Sequence, residues 1–191
     1  MTETKQGKGR VQLLLIAAVF LGPLAVAAWL YFAGQHLTPE GRTNTGVLLQ
    51  PIVNLPDELP ASSLHIHNDG HWVLLYANAG ACDEACEYSL YTLRQSRLML
   101  GKEMDRLVRG FLRGDTAPDT VLLAEEHKGL ITLQDSGLND LLHIKKPADL
   151  EAGGYYLVDP LGNLVMYFEP HIEPDAMVED IKHLLKLSRI G

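Results

Sequence analysis

The sequence predicts an α/β domain, a mixed central sheet flanked by helices, carried behind one N-terminal membrane-spanning helix. Three observations lead there. A long uncharged apolar run occupies the N-terminus, short apolar runs alternate with amphipathic stretches in the rest of the chain, and the only two cysteines stand at a strand-to-helix corner. At 191 residues and 47% hydrophobic composition, the chain suits one compact domain plus an anchor rather than two full domains.

The anchor comes first. No Asp, Glu, Lys or Arg lies between Arg10 and Glu40, and Val11 to Phe32 reads VQLLLIAAVFLGPLAVAAWLYF. At about 1.5 Å per residue this gives roughly 33 Å of helix, enough to cross the hydrocarbon core. Lys5, Lys8 and Arg10 predict a cytoplasmic N-terminus, and Trp29 and Tyr31 then fall at the far interface. A cleaved signal peptide has an apolar region of only about 7 to 15 residues ahead of small residues, which the segment ending in Trp29-Leu-Tyr-Phe32 lacks. Pro23 after Gly22 is tolerated in a membrane helix. The expected organisation is a cytoplasmic tail over 1–10, a transmembrane helix over 11–33, a Gly-, Thr- and Asn-containing linker over 34–46, and a periplasmic domain over 47–191, on a bacterial inner membrane.

Within the domain, His71 to Asn78 is a short apolar run ending in Ala-Gly-Ala and predicts a buried strand. From Asp83 to about Arg113, apolar residues and arginines recur every three or four positions, which predicts a long amphipathic helix bent near Gly101. Thr120 to Ala124 predicts a second buried strand, and Ser136 to His143 a short helix. Tyr155–Val158 and Leu164–Phe168 predict a hairpin, joined by Asp159-Pro-Leu-Gly-Asn163 with Gly162 and Asn163 able to take positive φ. Glu173 to Ser188 predicts a closing helix, acidic in its first turn and basic in its last. Strand, helix, strand, helix, strand, strand, helix is the element order of a thioredoxin fold.

The chain carries a net charge of −8, and its tail is basic, so the domain is more acidic still. That excludes nucleic-acid binding and suits a basic protein partner or cations. No phosphate loop, dinucleotide fingerprint, G-x-S-x-G or H-E-x-x-H occurs, so hydrolase and nucleotide-enzyme readings have no support. Arg94, Arg97, Arg106 and Arg109 at helical spacing either present a basic stripe or form a solvated, mixed-charge face, and the interleaved acids favour the second.

Chemistry concentrates at Cys82 and Cys86, spaced C-x-x-x-C. Four residues of helix rise about 6 Å, within the span a disulfide bridges. Reduced, two thiolates at a helix N-terminus form a soft site suited to Cu(I). Asp83, Glu84 and Glu87 oppose this by raising the thiol pKa values. Two buried cysteines or a purely structural disulfide is the simpler alternative.

Trp72-Val-Leu-Leu-Tyr76, Cys82-Asp-Glu-Ala-Cys86 and Tyr156-Leu-Val-Asp-Pro-Leu-Gly-Asn163 resemble the Sco/SenC family, membrane-anchored thioredoxin-like periplasmic proteins that help load copper into cytochrome c oxidase. The likeness spans roughly Val47 to Ser188 in element order and is specific only at those segments. It implies copper at Cys82 and Cys86 and, as partners, cytochrome c oxidase subunits or its assembly factors. The family's histidine ligand, about five residues before the Tyr-Leu-Ile-Asp-Pro-like strand, has no counterpart in Asp149-Leu-Glu-Ala-Gly-Gly-Tyr155, and Asp83 stands where proline commonly follows the first cysteine. Cys82-x-x-x-Cys86, Leu90-Tyr-x-Leu-Arg-Gln95, Asp159-Pro-Leu-Gly-Asn-Leu164 and Leu184 to Gly191 also resemble a proteobacterial group of small membrane proteins described as cytochrome-oxidase-associated.

Other histidines are candidate ligands. His65, His67 and His71 form H-x-H-x-x-x-H ahead of the first core strand, with the first two on one face if extended. A solvated polar turn is the commoner meaning of such a cluster. His171, His143 and Glu151 are further candidates for the missing ligand, although a carboxylate is a poor partner for Cu(I).

Three functions follow. The first is an accessory factor in cytochrome c oxidase assembly, whose cysteines deliver copper or keep the oxidase's own copper-binding cysteines reduced. The second is a general thiol:disulfide oxidoreductase in which Cys82 attacks and Cys86 resolves; against it, Gly153-Gly154 precedes the strand where such enzymes carry a cis-proline. The third is a non-catalytic interaction module of a respiratory complex, braced by its disulfide.

Overall fold

A computed structural model describes residues 4–33, 44–64, 69–116, 120–188 and 190. The chain divides into two units, Met1–Thr43 and Asn44–Gly191. In the first, α1 runs from Thr4 to Ala33, and Gly9–Trp29 is long and apolar enough to cross a membrane. Leu13, Phe20, Leu24 and Trp29 are all exposed. A helix apolar all round fits lipid rather than water.

The second unit is a six-stranded mixed sheet in the order β1-β6-β5-β2-β3-β4. The strands are β1 (Val47–Asn54), β2 (Trp72–Asn78), β3 (Leu107–Arg113), β4 (Leu130–Leu133), β5 (Tyr155–Val158) and β6 (Asn163–Phe168). β2, β3 and β4 are parallel, whereas β5 is antiparallel to β2 and β6, and β1 is antiparallel to β6. Among the described residues, helices α2 (Leu55–Glu58), α3 (Glu84–Met99), α4 (Thr120–Glu126), α5 (Ser136–Lys145) and α6 (Pro174–Leu187) accompany them.

Alternation along β2 sorts the core into two layers. Trp72, Leu74 and Tyr76 join Leu90 and Leu93 of α3 and Met177 and Ile181 of α6 on one face. Val73 and Leu75 join Leu138 and Leu142 of α5 on the other. Each fully buried side chain of this size contributes about 1.5–3 kcal/mol, which makes β2 and its neighbours the firmest part of the domain.

Two expectations fail. Asp83 to Arg113 is not one helix: α3 ends at Met99, Gly101 takes φ +61°, a 3-10 turn covers Gly101–Arg106, and β3 follows. Leu107 and Phe111, four apart, share a face in a helix and in a strand alike, so their spacing satisfies both periods. β3 is also central, with both faces covered, and so lacks an alternating pattern. Thr120 to Ala124 is not a buried strand but the start of α4, a short surface helix with Val121 exposed. A short apolar run cannot be assigned by period alone. The expected order survives because β3 occupies the place assigned to Thr120–Ala124, with α4 and the edge strand β4 inserted after it. β1, for which no element is predicted from the sequence, is an edge strand, a place where its Pro51 is tolerated.

The Asp159–Asn163 turn forms as expected, except that Gly162 alone takes positive φ, at +83°. Asp159 Oδ1 accepts from the backbone N–H groups of Leu161 (2.9 Å) and Asn163 (2.8 Å), which closes the loop between β5 and β6.

Candidate functional site

β2 leaves the sheet at Asn78, and the chain crosses Ala79-Gly80-Ala81 before α3 begins. Asn78 shapes this crossing: its side-chain oxygen accepts from Gly80 N–H at 2.9 Å, and its carbonyl accepts from Gly114 N–H at 2.9 Å. Asp83 is the helix N-cap, in extended conformation, accepting the N–H of Cys86 at 3.1 Å. Cys82 therefore precedes the helix and Cys86 lies within its first turn. The two are joined by a disulfide, with Cα atoms 5.0 Å apart, shorter than the helical rise expected from the sequence because Cys82 and Asp83 are not helical.

The two sulfurs sit in unequal surroundings. Cys86 is 1% exposed and belongs to the core, whereas Cys82 is only partly buried. Beneath the first turn, Ser89 Oγ donates to the Ala85 carbonyl at 2.9 Å and the Tyr155 hydroxyl donates to the Ser89 carbonyl at 3.3 Å. The Tyr76 and Tyr155 rings lie 5.5 Å apart. Burial pushes the Tyr155 hydroxyl up to about 12 and raises Tyr76 as well, so both phenols at the floor of the site are neutral. Charge enters only from the rim. Asp83, Glu84 and Glu87 are exposed around the helix start, where they oppose the helix dipole in its effect on a thiolate.

Beside the disulfide is an open cavity of about 460 Å³, whose walls include Asp83, Cys86, Tyr88, Glu151, Gly153 and His171. The loop that closes it is fixed by glycine. Gly153 takes φ +83°, and a Cβ on Gly154 would stand 2.0 Å from the Phe168 carbonyl oxygen. Gly154 N–H donates to the Tyr167 hydroxyl at 3.1 Å, and that hydroxyl donates to the Glu151 carbonyl.

The structure brings some sequence-level candidates together and separates others. His171 and Glu151 share the cavity with Cys86, and His171 Nε2 lies 3.8 Å from Glu151 Oε1, both side chains largely exposed. His71 precedes β2 and so stands at the opposite end of that strand from the cysteines, about 20 Å away at 3.3 Å per residue. His65 and His67 lie outside the described residues. His143 lines a neighbouring cavity of about 320 Å³ that shares Asn78, Gly80 and Gly153 with the first. Among the described residues no three His, Cys, Asp or Glu side chains gather around a metal-sized point. Sequence reasoning missed the capping role of Asp83, whose signal was an Asp at the start of a helix with Glu in its first turn, and missed the Tyr76, Ser89 and Tyr155 cluster, which had no local signal.

Comparison with known proteins agrees with this architecture. The family model described as transmembrane-like, thioredoxin-like, C-terminal domain matches residues 72–188, and the one described as transmembrane-like, N-terminal domain matches residues 4–34. Among solved structures, apo Sco1 from Thermus thermophilus aligns over 76% of this chain and 99% of its own, at 15% identity and a TM-score of 0.53. Copper-bound Sco1 from yeast covers 64% of this chain and 80% of its own (17% identity, TM-score 0.50), and copper-bound ScoI from Arabidopsis thaliana covers 65% and 89% (17%, 0.50). At these identities the likeness is one of fold. No curated protein matches the chain. The thioredoxin-like sheet, the disulfide at its strand-to-helix corner and the apolar helix ahead of them meet in one assignment: the chain belongs to the transmembrane-like, thioredoxin-like family.

Proposed function

We propose that this chain is an inner-membrane-anchored periplasmic accessory protein of cytochrome c oxidase assembly, acting through Cys82 and Cys86 on the oxidase subunits or their assembly factors. The observation that carries the reading is the unequal burial of the two sulfurs in a bonded pair at a helix start. An accessible sulfur can exchange with a client, and a buried one beside it resolves the product. In the reduced chain, the Cys82 thiolate attacks a client disulfide, forming a mixed disulfide and releasing one client thiolate. Cys86 then attacks Cys82 Sγ and releases the second. The client gains two electrons, the Cys82–Cys86 disulfide re-forms, and an external dithiol must reduce it for another turn. Reduction of the oxidase's copper-binding cysteines is the step this would serve.

Copper carriage is the second use of the same pair. Two thiolates match the softness of Cu(I), and the yeast and Arabidopsis proteins of like fold are known with copper bound. His171 lines the cavity beside Cys86 and is the imidazole this reading would use as a third donor. Copper is cargo in this reading.

The test is Cys82→Ser/Cys86→Ser in the host, with chain abundance in membranes as the control for folding. Loss of cytochrome c oxidase activity, with other disulfide-bonded proteins unaffected, supports the proposal. A general disulfide defect moves the chain to the thiol:disulfide oxidoreductases. An unaltered host with normal chain abundance leaves a non-catalytic interaction module. Cu(I) titration of the reduced full chain in non-ionic detergent, against a competing chelator, separates the two uses: one-to-one binding absent from the double variant assigns copper carriage.

A further inference from the structure

Arg109 sits in the middle of β3, opposite Leu74 of β2 and Leu130 of β4, and is only 6% exposed. Its Nη2 donates to the Lys128 carbonyl at 2.6 Å, while Nε and Nη1 are buried without an acceptor. Among the described residues no carboxylate pairs with it. A buried cation without a counter-charge is strongly disfavoured, and a leucine or valine at the centre of a sheet would avoid that cost.

The cavity wall beside it carries more positive than negative charge. Arg94 and Arg97 of α3 and Lys128 line, together with Arg109, a cavity of about 240 Å³ whose remaining wall is Leu98, Glu125 and Glu126. Arg94 Nη1 donates to the Glu126 carbonyl at 2.7 Å and meets its carboxylate at 3.4 Å, but Arg94 Nε is buried and unpartnered. Arg97 is held by the Leu107 carbonyl (2.8 Å) and by Asp105 (3.3 Å). His127, at the end of α4, is buried with Nδ1 unpartnered; burial, then Arg94 and Arg109, push its pKa down. In a chain of net charge −8, four cations converge on one hollow against two exposed-helix carboxylates.

We infer that this cavity binds a small oxyanion, with Arg109 as the buried counter-charge and Arg94, Arg97 and Lys128 completing the wall. Guanidinium and ammonium groups are donors only, so the ligand must bring acceptors, as phosphate, sulfate or a carboxylate does. The volume is several times the roughly 30 Å³ share of one water. The cavity is also separate from the cysteines: Arg94 lies ten residues beyond Glu84 on α3, about 15 Å along the helix. Its success or failure is therefore independent of the redox reading.

The experiment uses the full chain in non-ionic detergent, free of phosphate and sulfate, and follows arginine Nε–H signals by NMR. Inorganic phosphate is titrated against chloride at matched ionic strength, and acetate forms a second arm. The expected result is a saturable shift of the Arg109 signal with a dissociation constant of about 1 mM or tighter, the signal being identified by its loss in Arg109→Met. Saturation by phosphate alone assigns a free inorganic oxyanion; tighter saturation by acetate assigns a carboxylate. Shifts that stay linear and match chloride overturn the site. Should Arg109→Met fail to fold, Arg94→Gln/Lys128→Gln serves instead, with affinity for phosphate expected to fall about tenfold; unchanged affinity also overturns it.

Discussion

The carboxylate of Asp83 accepts the backbone N–H of Cys86 at 3.1 Å, so the residue that starts α3 also places a negative charge beside the disulfide. The two effects separate by substitution. Asp83→Asn keeps a capping acceptor and removes the charge, which favours the thiolate; the Cys82 thiol pKa falls and the disulfide becomes easier to reduce. Asp83→Ala removes the cap as well and costs about 1 kcal/mol of stability. Alkylation rate against pH and urea unfolding check the pair. An alkylation profile identical in Asp83→Asn and the parent would show that the carboxylate does not act on the thiol.

Burial predicts which cysteine meets reagents. With Cys86→Ser, the remaining Cys82 is partly exposed; with Cys82→Ser, the remaining Cys86 is 1% exposed in the core. Iodoacetamide should modify the first at least about tenfold faster than the second under native conditions, since only accessible thiolate reacts. Equal rates would mean that the helix start opens readily, and the attacking and resolving roles would lose their structural basis.

This asymmetry shows where sequence reading succeeds and where it stops. The strand–cysteine–helix corner was legible because β2 is a short apolar run ending in small residues and α3 opens with acids, both local signals. β3 was not legible, because a central strand covered on both faces has no alternation and its Leu107 and Phe111 fit a helical repeat. For the site, spacing named Cys82 and Cys86, and position at the helix start named Cys82 as the attacking sulfur, but their unequal burial was not legible, since it is set by packing against Tyr76 and Leu90 in the folded core. His171 and Glu151 reach the same cavity as Cys86 from the turn after β6 and the loop before β5, a meeting made only by the sheet order. Of the arginines read at helical spacing, Arg94 and Arg97 lie on α3, Arg106 ends the 3-10 turn and Arg109 lies in β3, and all but Arg106 share one cavity wall.

The Gly154 position tolerates no side chain. A Cβ there would meet the Phe168 carbonyl at 2.0 Å and the Tyr167 hydroxyl at 2.6 Å, and backbone cannot yield as a flexible side chain can. Gly154→Ala should lower stability by about 2–4 kcal/mol, through overpacking and loss of the Tyr167 hydrogen bond. Gly153→Ala, strained only by its φ of +83°, should cost about 1 kcal/mol. Urea midpoints of the two variants test the order; a milder effect at Gly154 than at Gly153 would contradict the packing described for this loop.

Gly46 N–H donates to Asp180 Oδ2 at 2.7 Å, and Asp180 is 6% exposed. This bond fastens the segment entering β1 to α6. Asp180→Ala leaves the Gly46 amide without its acceptor and should destabilise the domain by about 1.5–3 kcal/mol. Hydrogen exchange locates the effect: the Gly46 amide should lose protection, with the amides of β2 the last to follow. If Gly46 exchanges equally fast in the parent, the fastening is absent in solution.

Alkaline pH tests the buried phenols. The Tyr155 and Tyr167 hydroxyls are raised to about 12 by burial, and that of Tyr156 is raised further by burial and by Tyr167. A tyrosine in the unfolded chain titrates near about 10, so between these values the folded state holds protons that the unfolded state has released. Stability from this source is complete below about pH 10 and is lost as pH rises through about 12. Urea unfolding at a series of alkaline pH values should show the decline, with phenolate absorbance rising in step with unfolding. Tyr155→Phe removes one titrating group along with the 3.3 Å bond to the Ser89 carbonyl. It should lower stability at neutral pH by about 0.5–1.5 kcal/mol and flatten the alkaline slope. A slope unchanged by Tyr155→Phe would show that its hydroxyl already titrates normally in the folded chain.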